Sequence, residues 1–136
     1  MGLDIGEKRT GVALSDPMRL IASPLMVISG TEEKNTIEIH LKPARQHHVE
    51  RIVVGLPLSL SGRIGPQAQK VRGFVEELSG RIDIPVDSWD ERLSTVAADK
   101  MMADAGVKRK KRRARRDAAA AAFILQGYLD ATNNAV

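Results

Sequence analysis

The chain has 136 residues, which suits one domain with a proper core, and we expect a single domain over residues 1–136. It is 43% hydrophobic but only 3% aromatic, so its core must be built from aliphatic side chains. The lack of cysteine excludes disulfides and thiolate metal sites and is compatible with a reducing cytoplasm. No segment reads as a signal peptide or a membrane span, so no membrane partner is expected.

The net charge of +4 is unevenly distributed along the chain. Eight basic residues and no acidic residue lie between Lys108 and Arg116, and the rest of the chain has 13 basic against 17 acidic residues. A concentrated positive charge on an acidic body is typical of a protein that binds a polyanion such as nucleic acid. The alternative interpretation of this run is a solvated surface loop.

The first half of the chain predicts three strands and one helix. Residues 1–5 and 11–15 are apolar and flank a turn, which predicts a hairpin, and residues 24–29 predict a third strand. Thr31 can cap a helix, which carries apolar residues at helical spacing and ends near residues 47 and 48. The three histidines offer no convincing set of metal ligands and are predicted to lie on the surface: His40, His47 and His48.

The second half alternates strands with helices. Residues 50–56 form a continuous apolar run, which predicts a buried central strand, and residues 84–89 predict another strand. Pro66 starts a helix that ends near Gly80, and Ser94 or Thr95 can cap a further helix that ends at residue 105. Asp117 is predicted to open the last helix. The order predicts an α/β fold with a mixed sheet and helices on its faces.

Three acidic positions lie at the edges of predicted elements. Asp4 is on the first strand, Glu91 follows the last strand beside Asp90, and Asp117 starts the last helix. Neighbouring strand ends lie close together in such a sheet, and alanines after Asp117 would let its helix approach closely. Alternation along a strand lets only one of Asp90 and Glu91 face a site, and we select Glu91 while Asp90 stays open.

Carboxylates that converge repel each other, and divalent cations resolve that repulsion. Hard oxygen ligands suit Mg²⁺ or Mn²⁺. Two such ions roughly 3.5–4 Å apart can activate water and stabilise the leaving oxygen of a phosphodiester. The alternatives are a turn formed by Asp4 and a favourable helix charge for Asp117.

Four motifs in chain order carry a resemblance to a known family. The chain resembles the YqgF family, also called RuvX, over roughly residues 3–130. The motifs together are more specific than any one of them: Asp4 to Asp16 (DIGEKRTGVALSD), Val54 to Pro57 (VGLP), Asp90 to Thr95 (DERLST) and Asp117 to Ala121 (DAAAA).

The resemblance implies a ribonuclease-H-like fold with a five-stranded mixed sheet, in which an antiparallel meander of three strands precedes parallel strands. It implies a bacterial cytoplasmic nuclease that resolves Holliday junctions or processes the 5′ end of pre-16S ribosomal RNA. The family's acidic positions fall on Asp4, Glu91 and Asp117. The chain begins three residues before Asp4, so its first strand is expected to be shorter than in other members.

Basic and hydroxyl side chains near these acids are candidates for contacts with nucleic-acid phosphates. Monomer and homodimer both stay open, and so does a second function, a binding module in which the acids are structural. The candidate phosphate ligands are Lys8, Arg9, Arg92, Ser94, Thr95, Lys108, Arg109, Lys110, Lys111, Arg112, Arg113, Arg115 and Arg116.

Overall fold

A computed structural model describes residues 1–29, 36–58, 61–90 and 109–134, the last segment with side chains from Arg116 to Asn133. Five strands form one mixed sheet in the order β3-β2-β1-β4-β5, with β1 at its centre. The first three strands pair antiparallel, and β4 and β5 join parallel, as predicted. The strand bounds are β1 Gly2–Ile5, β2 Arg9–Ser15, β3 Ala22–Ser29, β4 Ile52–Leu56 and β5 Val86–Asp90.

Three helices lie within the described segments, and each was predicted as an element. They are α1 Thr36–Gln46, α2 Pro66–Arg81 and α3 Arg109–Asn134. Pro66 occupies the first turn of α2, where a missing N–H leaves no hydrogen bond unmade. The predicted cap at Thr31 and the predicted helix from Ser94 or Thr95 to residue 105 lie outside the described residues.

The start of the last helix differs from the prediction. Helix α3 begins at Arg109, eight residues before Asp117, so residues 109–116 of the basic run form its first turns and are not a loop. Arginine, lysine and alanine all have high intrinsic helix propensity, and packing of the later turns supports the helix. Asp117 therefore lies inside the helix, and the favourable first-turn charge proposed for it is excluded.

Large aliphatic side chains cover one face of the sheet. Strand residues with odd and even numbers point to opposite faces, and Leu3, Val12 and Val54 face α1 and α2. Leu41 of α1 and Leu78 of α2 are fully buried against them. This packing is the main hydrophobic core.

His40 of α1 belongs to this core, so its predicted surface position is wrong. It is 1% exposed, its Nδ1 donates to the carbonyl of Thr36 at 2.6 Å, and its Nε2 accepts from the Thr10 hydroxyl at 2.7 Å. Burial lowers the pKa of His40, against the opposing effect of the Thr36 hydrogen bond. His47 and His48 are exposed, as predicted.

Helix α3 covers the other face, packing across β1, β2 and β3. Small side chains contribute to this contact, since Ala13 of β2 and Ala121 of α3 lie in one buried cluster with Ile124 and Leu125. A β-carbon on Gly2 would lie 2.9 Å from the carbonyl oxygen of Ala121. Trp89 packs edge-on against Tyr128 with ring centroids 5.7 Å apart. No helix of the described segments is long and apolar enough to cross a membrane.

Candidate active site between the first hairpin and helix α3

Asp4 lies near the carboxyl end of the central strand, on the face covered by α3. Its cross-strand partner in β2 is Gly11. Residues directly opposite each other in an antiparallel pair direct their side chains to the same face. Asp4 is half-buried there, in line with Gly2, which lies against α3.

Gly11 brings Asp117 to the same place. A β-carbon on Gly11 would lie 1.7 Å from the carbonyl oxygen of Asp117 and 2.2 Å from its carbonyl carbon. The helix backbone thus occupies the volume that any other residue at position 11 would need. Because Gly11 is the neighbour of Asp4 in the sheet, this contact places the backbone of Asp117 against the strand position opposite Asp4.

Arg9 forms an ion pair with Asp117. Its Nε lies 2.7 Å from Oδ2 of Asp117, and the two side chains are 34% and 17% exposed. The contact has the distance of an ion pair without the alignment of a hydrogen bond, since the buried Oδ2 accepts no hydrogen bond from the described residues. Alternation places Arg9, like Gly11, on the α3 face of β2.

The basic residues of α3 directly precede Asp117 along the helix. The helix from Arg109 to Arg116 leads directly into Asp117. Arg116 is half-buried, and its Nε is a buried donor with no hydrogen-bond acceptor among the described residues. Within the same turns, the backbone alone is described for Arg109, Lys110, Lys111, Arg112, Arg113 and Arg115.

Of the remaining predicted site residues, Lys8 and Asp90 are described by the structure, and the others are not. Lys8 is exposed in the turn between β1 and β2. Asp87 and Trp89 of β5 contact Tyr128 of α3, so alternation directs Asp90 to the opposite face. The others lie outside the described residues: Glu91, Arg92, Ser94, Thr95 and Lys108.

A divalent cation is compatible with the two described carboxylates. Asp4 and Asp117 supply hard oxygen ligands, and the orphaned Oδ2 of Asp117 is a buried negative atom beside a cation. The described residues contain no group of three acidic or histidine side chains that could hold a metal. The third predicted ligand, Glu91, lies beyond them.

Sequence reasoning missed two contributors to the geometry. Gly11 interrupts a strand, and a glycine inside a strand often marks close approach of another backbone. His40 lies on the same helical stripe as Ile37, Leu41 and Ala44, since residues three or four apart share a helix face. Both signals were present, but the partners, Asp117 and Thr10, lie on other elements.

The order of the five strands and the helix across one face of the sheet define a ribonuclease-H-like fold. Thermus thermophilus RuvC in complex with a Holliday junction substrate is similar, with a TM-score of 0.59 and 19% identity over 98% of this chain and 94% of that one. A second structure of Thermus thermophilus RuvC has a TM-score of 0.55 and 18% identity over 97% and 94% of the two chains. At this identity the likeness concerns the fold.

The chain belongs to the RuvX family, described as Holliday junction resolvase, which matches residues 1–131. A relative from Roseiflexus sp. (strain RS-1) is 52% identical over 130 residues, which cover 96% of this chain and 92% of that protein. One from Desulforamulus reducens is 49% identical over 134 residues, covering 96% and 95%. Both carry the name "Putative pre-16S rRNA nuclease". Members of this family and fold generally use a divalent metal.

Proposed function

We propose that this protein is a metal-dependent endonuclease that hydrolyses phosphodiester bonds in structured nucleic acid in the bacterial cytoplasm. Residues 1–136 would act as one nuclease domain. The observation that supports this most directly is the contact of Gly11, the strand partner of Asp4, with the backbone of Asp117. It supports a site in which two carboxylates from distant parts of the chain share one face of the sheet.

Asp4, Glu91 and Asp117 are the proposed metal ligands. The orientation of β5 supports Glu91 over Asp90, since Asp90 lies on the face away from α3 and the next residue in an alternating pattern returns to it. Mg²⁺ or Mn²⁺, as two ions, would supply an activated water and charge stabilisation at the leaving oxygen. The protein's own contribution is to hold the carboxylates in place through the sheet and α3.

The first turns of α3 are the proposed binding surface for the phosphate backbone of the nucleic acid. They carry a dense positive charge and lead directly to Asp117, so bound phosphates would lie next to the carboxylates. The unpaired Nε donor of Arg116 supports this assignment. Further proposed contacts come from the hairpin turn and from the segment after β5: Lys8, Arg9, Arg92, Ser94 and Thr95.

Two substrates are proposed from the names of similar proteins. The relatives' names support precursor 16S ribosomal RNA, and the family description supports a four-way DNA junction. A junction needs two cuts and hence two active sites, whereas trimming an RNA end needs one. Measuring the oligomeric state of the protein on each substrate therefore bears on the choice between them.

Substitution of the three acids tests the proposal. Asp4→Asn, Glu91→Gln and Asp117→Asn should each lower the cleavage rate by at least about 100-fold, because each removes a negatively charged ligand of the metal ions that would stabilise the reacting phosphate. Binding should be largely kept. The assay uses purified protein with a four-way DNA junction and a 16S precursor fragment, each with Mg²⁺ or Mn²⁺.

Glu38→Gln is the matched control, because Glu38 is an exposed carboxylate on α1 that pairs with Arg45. It should cleave like the unaltered protein. Wild-type rates in all three site variants would contradict the assigned site. Tight, salt-sensitive binding without metal-dependent cleavage of either substrate would instead identify the protein as a binding module.

A further inference from the structure

We propose that Arg9 is an internal counter-cation for Asp117 that a divalent metal ion must displace, and that the displaced guanidinium then binds a phosphate of the nucleic acid. The inference rests on the proposed metal site and goes beyond it by coupling metal binding to substrate binding. Its basis is the ion pair between Nε of Arg9 and Oδ2 of Asp117 at 2.7 Å.

The two cations would compete for the same atom. Oδ2 of Asp117 is buried, and a buried carboxylate oxygen is costly without positive charge or hydrogen bonds nearby. Arg9 supplies that charge, but Oδ2 accepts no hydrogen bond from the described residues. A metal ion at the carboxylate would carry twice the charge of Arg9 and meet the same need.

The side chain of Arg9 can leave while its backbone stays fixed. The side chain is 34% exposed, so solvent is within reach of the guanidinium. The backbone is held in β2, where the next residue, Thr10, donates its hydroxyl to the buried His40 at 2.7 Å. One residue further, Gly11 lies against the Asp117 backbone. Displacement thus requires a rotamer change and no rearrangement of the strand.

The released guanidinium would add one phosphate contact. Arginine binds phosphate through planar, charge-assisted hydrogen bonds, and the basic turns of α3 adjoin the same carboxylate. Metal and nucleic acid would then bind cooperatively: the ion frees Arg9 for the phosphate, and phosphate binding keeps Arg9 away from Asp117. Without metal, Arg9 would be withheld from the substrate.

Metal and nucleic-acid affinities of Arg9→Gln should change in opposite directions. Without nucleic acid, calorimetry should show Mn²⁺ binding tightened about five- to tenfold, a coupling of ordinary size. With Mn²⁺, the variant should bind a four-way DNA junction more weakly, and its slope of log affinity against log salt should be smaller by about one. Binding is measured under conditions where no cleavage product forms. Without Mn²⁺, both proteins should bind the junction alike.

Two control variants separate this contact from a general loss of charge. Arg9→Lys keeps the positive charge and should bind Mn²⁺ nearly as the wild type does. Arg45→Gln removes an exposed cation on α1 and should leave Mn²⁺ affinity unchanged. A measurement without substitution is the Arg9 Nε–H resonance, which should shift when Mg²⁺ is added to the wild-type protein.

Unchanged or weaker Mn²⁺ binding by Arg9→Gln, or an unmoved Arg9 resonance, would overturn the inference. The proposed function would survive that result if wild-type protein still cleaves and Asp117→Asn abolishes both cleavage and Mn²⁺ binding. Failure of the wild-type protein to bind Mn²⁺ or to cleave would overturn both.

Discussion

The two faces of the sheet are packed by different means. The face under α1 and α2 buries large side chains such as Leu3, Leu41 and Ile52. On the face under α3, glycine and alanine allow the helix backbone to touch the strands, as at Gly11 and Asp117. Side-chain packing relaxes partly when an atom is removed, but a backbone contact leaves no space for an added one. The first face holds most of the large buried side chains, and the second holds the backbone of Asp117 against β2.

The largest effect on the cleavage rate should come from adding one carbon to the sheet face under α3. Gly11→Ala would set its β-carbon 1.7 Å from the Asp117 carbonyl oxygen, so helix and strand must separate by more than 1 Å. A displacement of that size at reacting groups lowers rates by about 100-fold. Overpacking should also lower the free energy of unfolding by about 1–3 kcal/mol. Cleavage kinetics and urea unfolding measure the two effects.

Gly73→Ala is the matched control for this substitution. Gly73 is exposed on α2, and a β-carbon there would meet nothing within 4 Å. Alanine in a helix interior should raise the free energy of unfolding by about 0.5–1 kcal/mol, and cleavage should be unchanged. Equal cleavage rates in Gly11→Ala and Gly73→Ala would show that the α3 contact does not position the acids.

Removing atoms from the opposite face should reduce stability and leave catalysis intact. Leu41 is fully buried, and Leu41→Ala should lower the free energy of unfolding by about 2–5 kcal/mol through lost burial and a residual cavity. The cleavage rate constant should stay near the wild-type value at temperatures well below unfolding. A fall in that constant as large as in Gly11→Ala would mean that the two faces are not separable in this way.

His40, which lies in the core under α1 and α2, should make a smaller, pH-dependent contribution to the free energy of unfolding. Burial holds its folded-state pKa below the usual 6.5, so protonation favours the unfolded chain. Its stabilising contribution is complete above about pH 6.5 and is lost as the pH falls through the folded-state pKa. His40→Gln should therefore lose this part of the pH dependence in urea unfolding between about pH 8 and pH 5. A difference in unfolding midpoint that is constant across this range would contradict the assignment.

The sheet was predictable because its signals are local. Apolar runs bounded by turns predicted all five strands, with ends within two residues of those observed. The alanines after Asp117 correctly indicated a helix that approaches the sheet closely. Family resemblance supplied the ribonuclease-H-like fold with its five-stranded sheet, which periodicity alone leaves open.

The predictions that failed concerned residues whose surroundings are set by contacts between distant elements. The basic run carries like charges, which suggested a loop, but it continues a helix whose later turns are anchored on the sheet. His40 looked like a surface residue because its hydrogen-bond partner, Thr10, lies thirty residues earlier. The ion pair of Arg9 with Asp117 likewise joins residues over a hundred positions apart, and no local pattern marks it.

Helix α3 contacts the sheet closely at two glycines, and these contacts limit where the chain can change in length. Asp117 rests on Gly11, and one to two turns later Ala121 and Leu125 rest on Gly2. Loss of one residue between these points would rotate one end of the helix by about 100° relative to the other. Loss of a residue from the basic turns before Asp117 would leave both points aligned. The basic turns before Asp117 can therefore change in length without disturbing these two contacts, whereas the segment from Asp117 to Leu125 must keep its length.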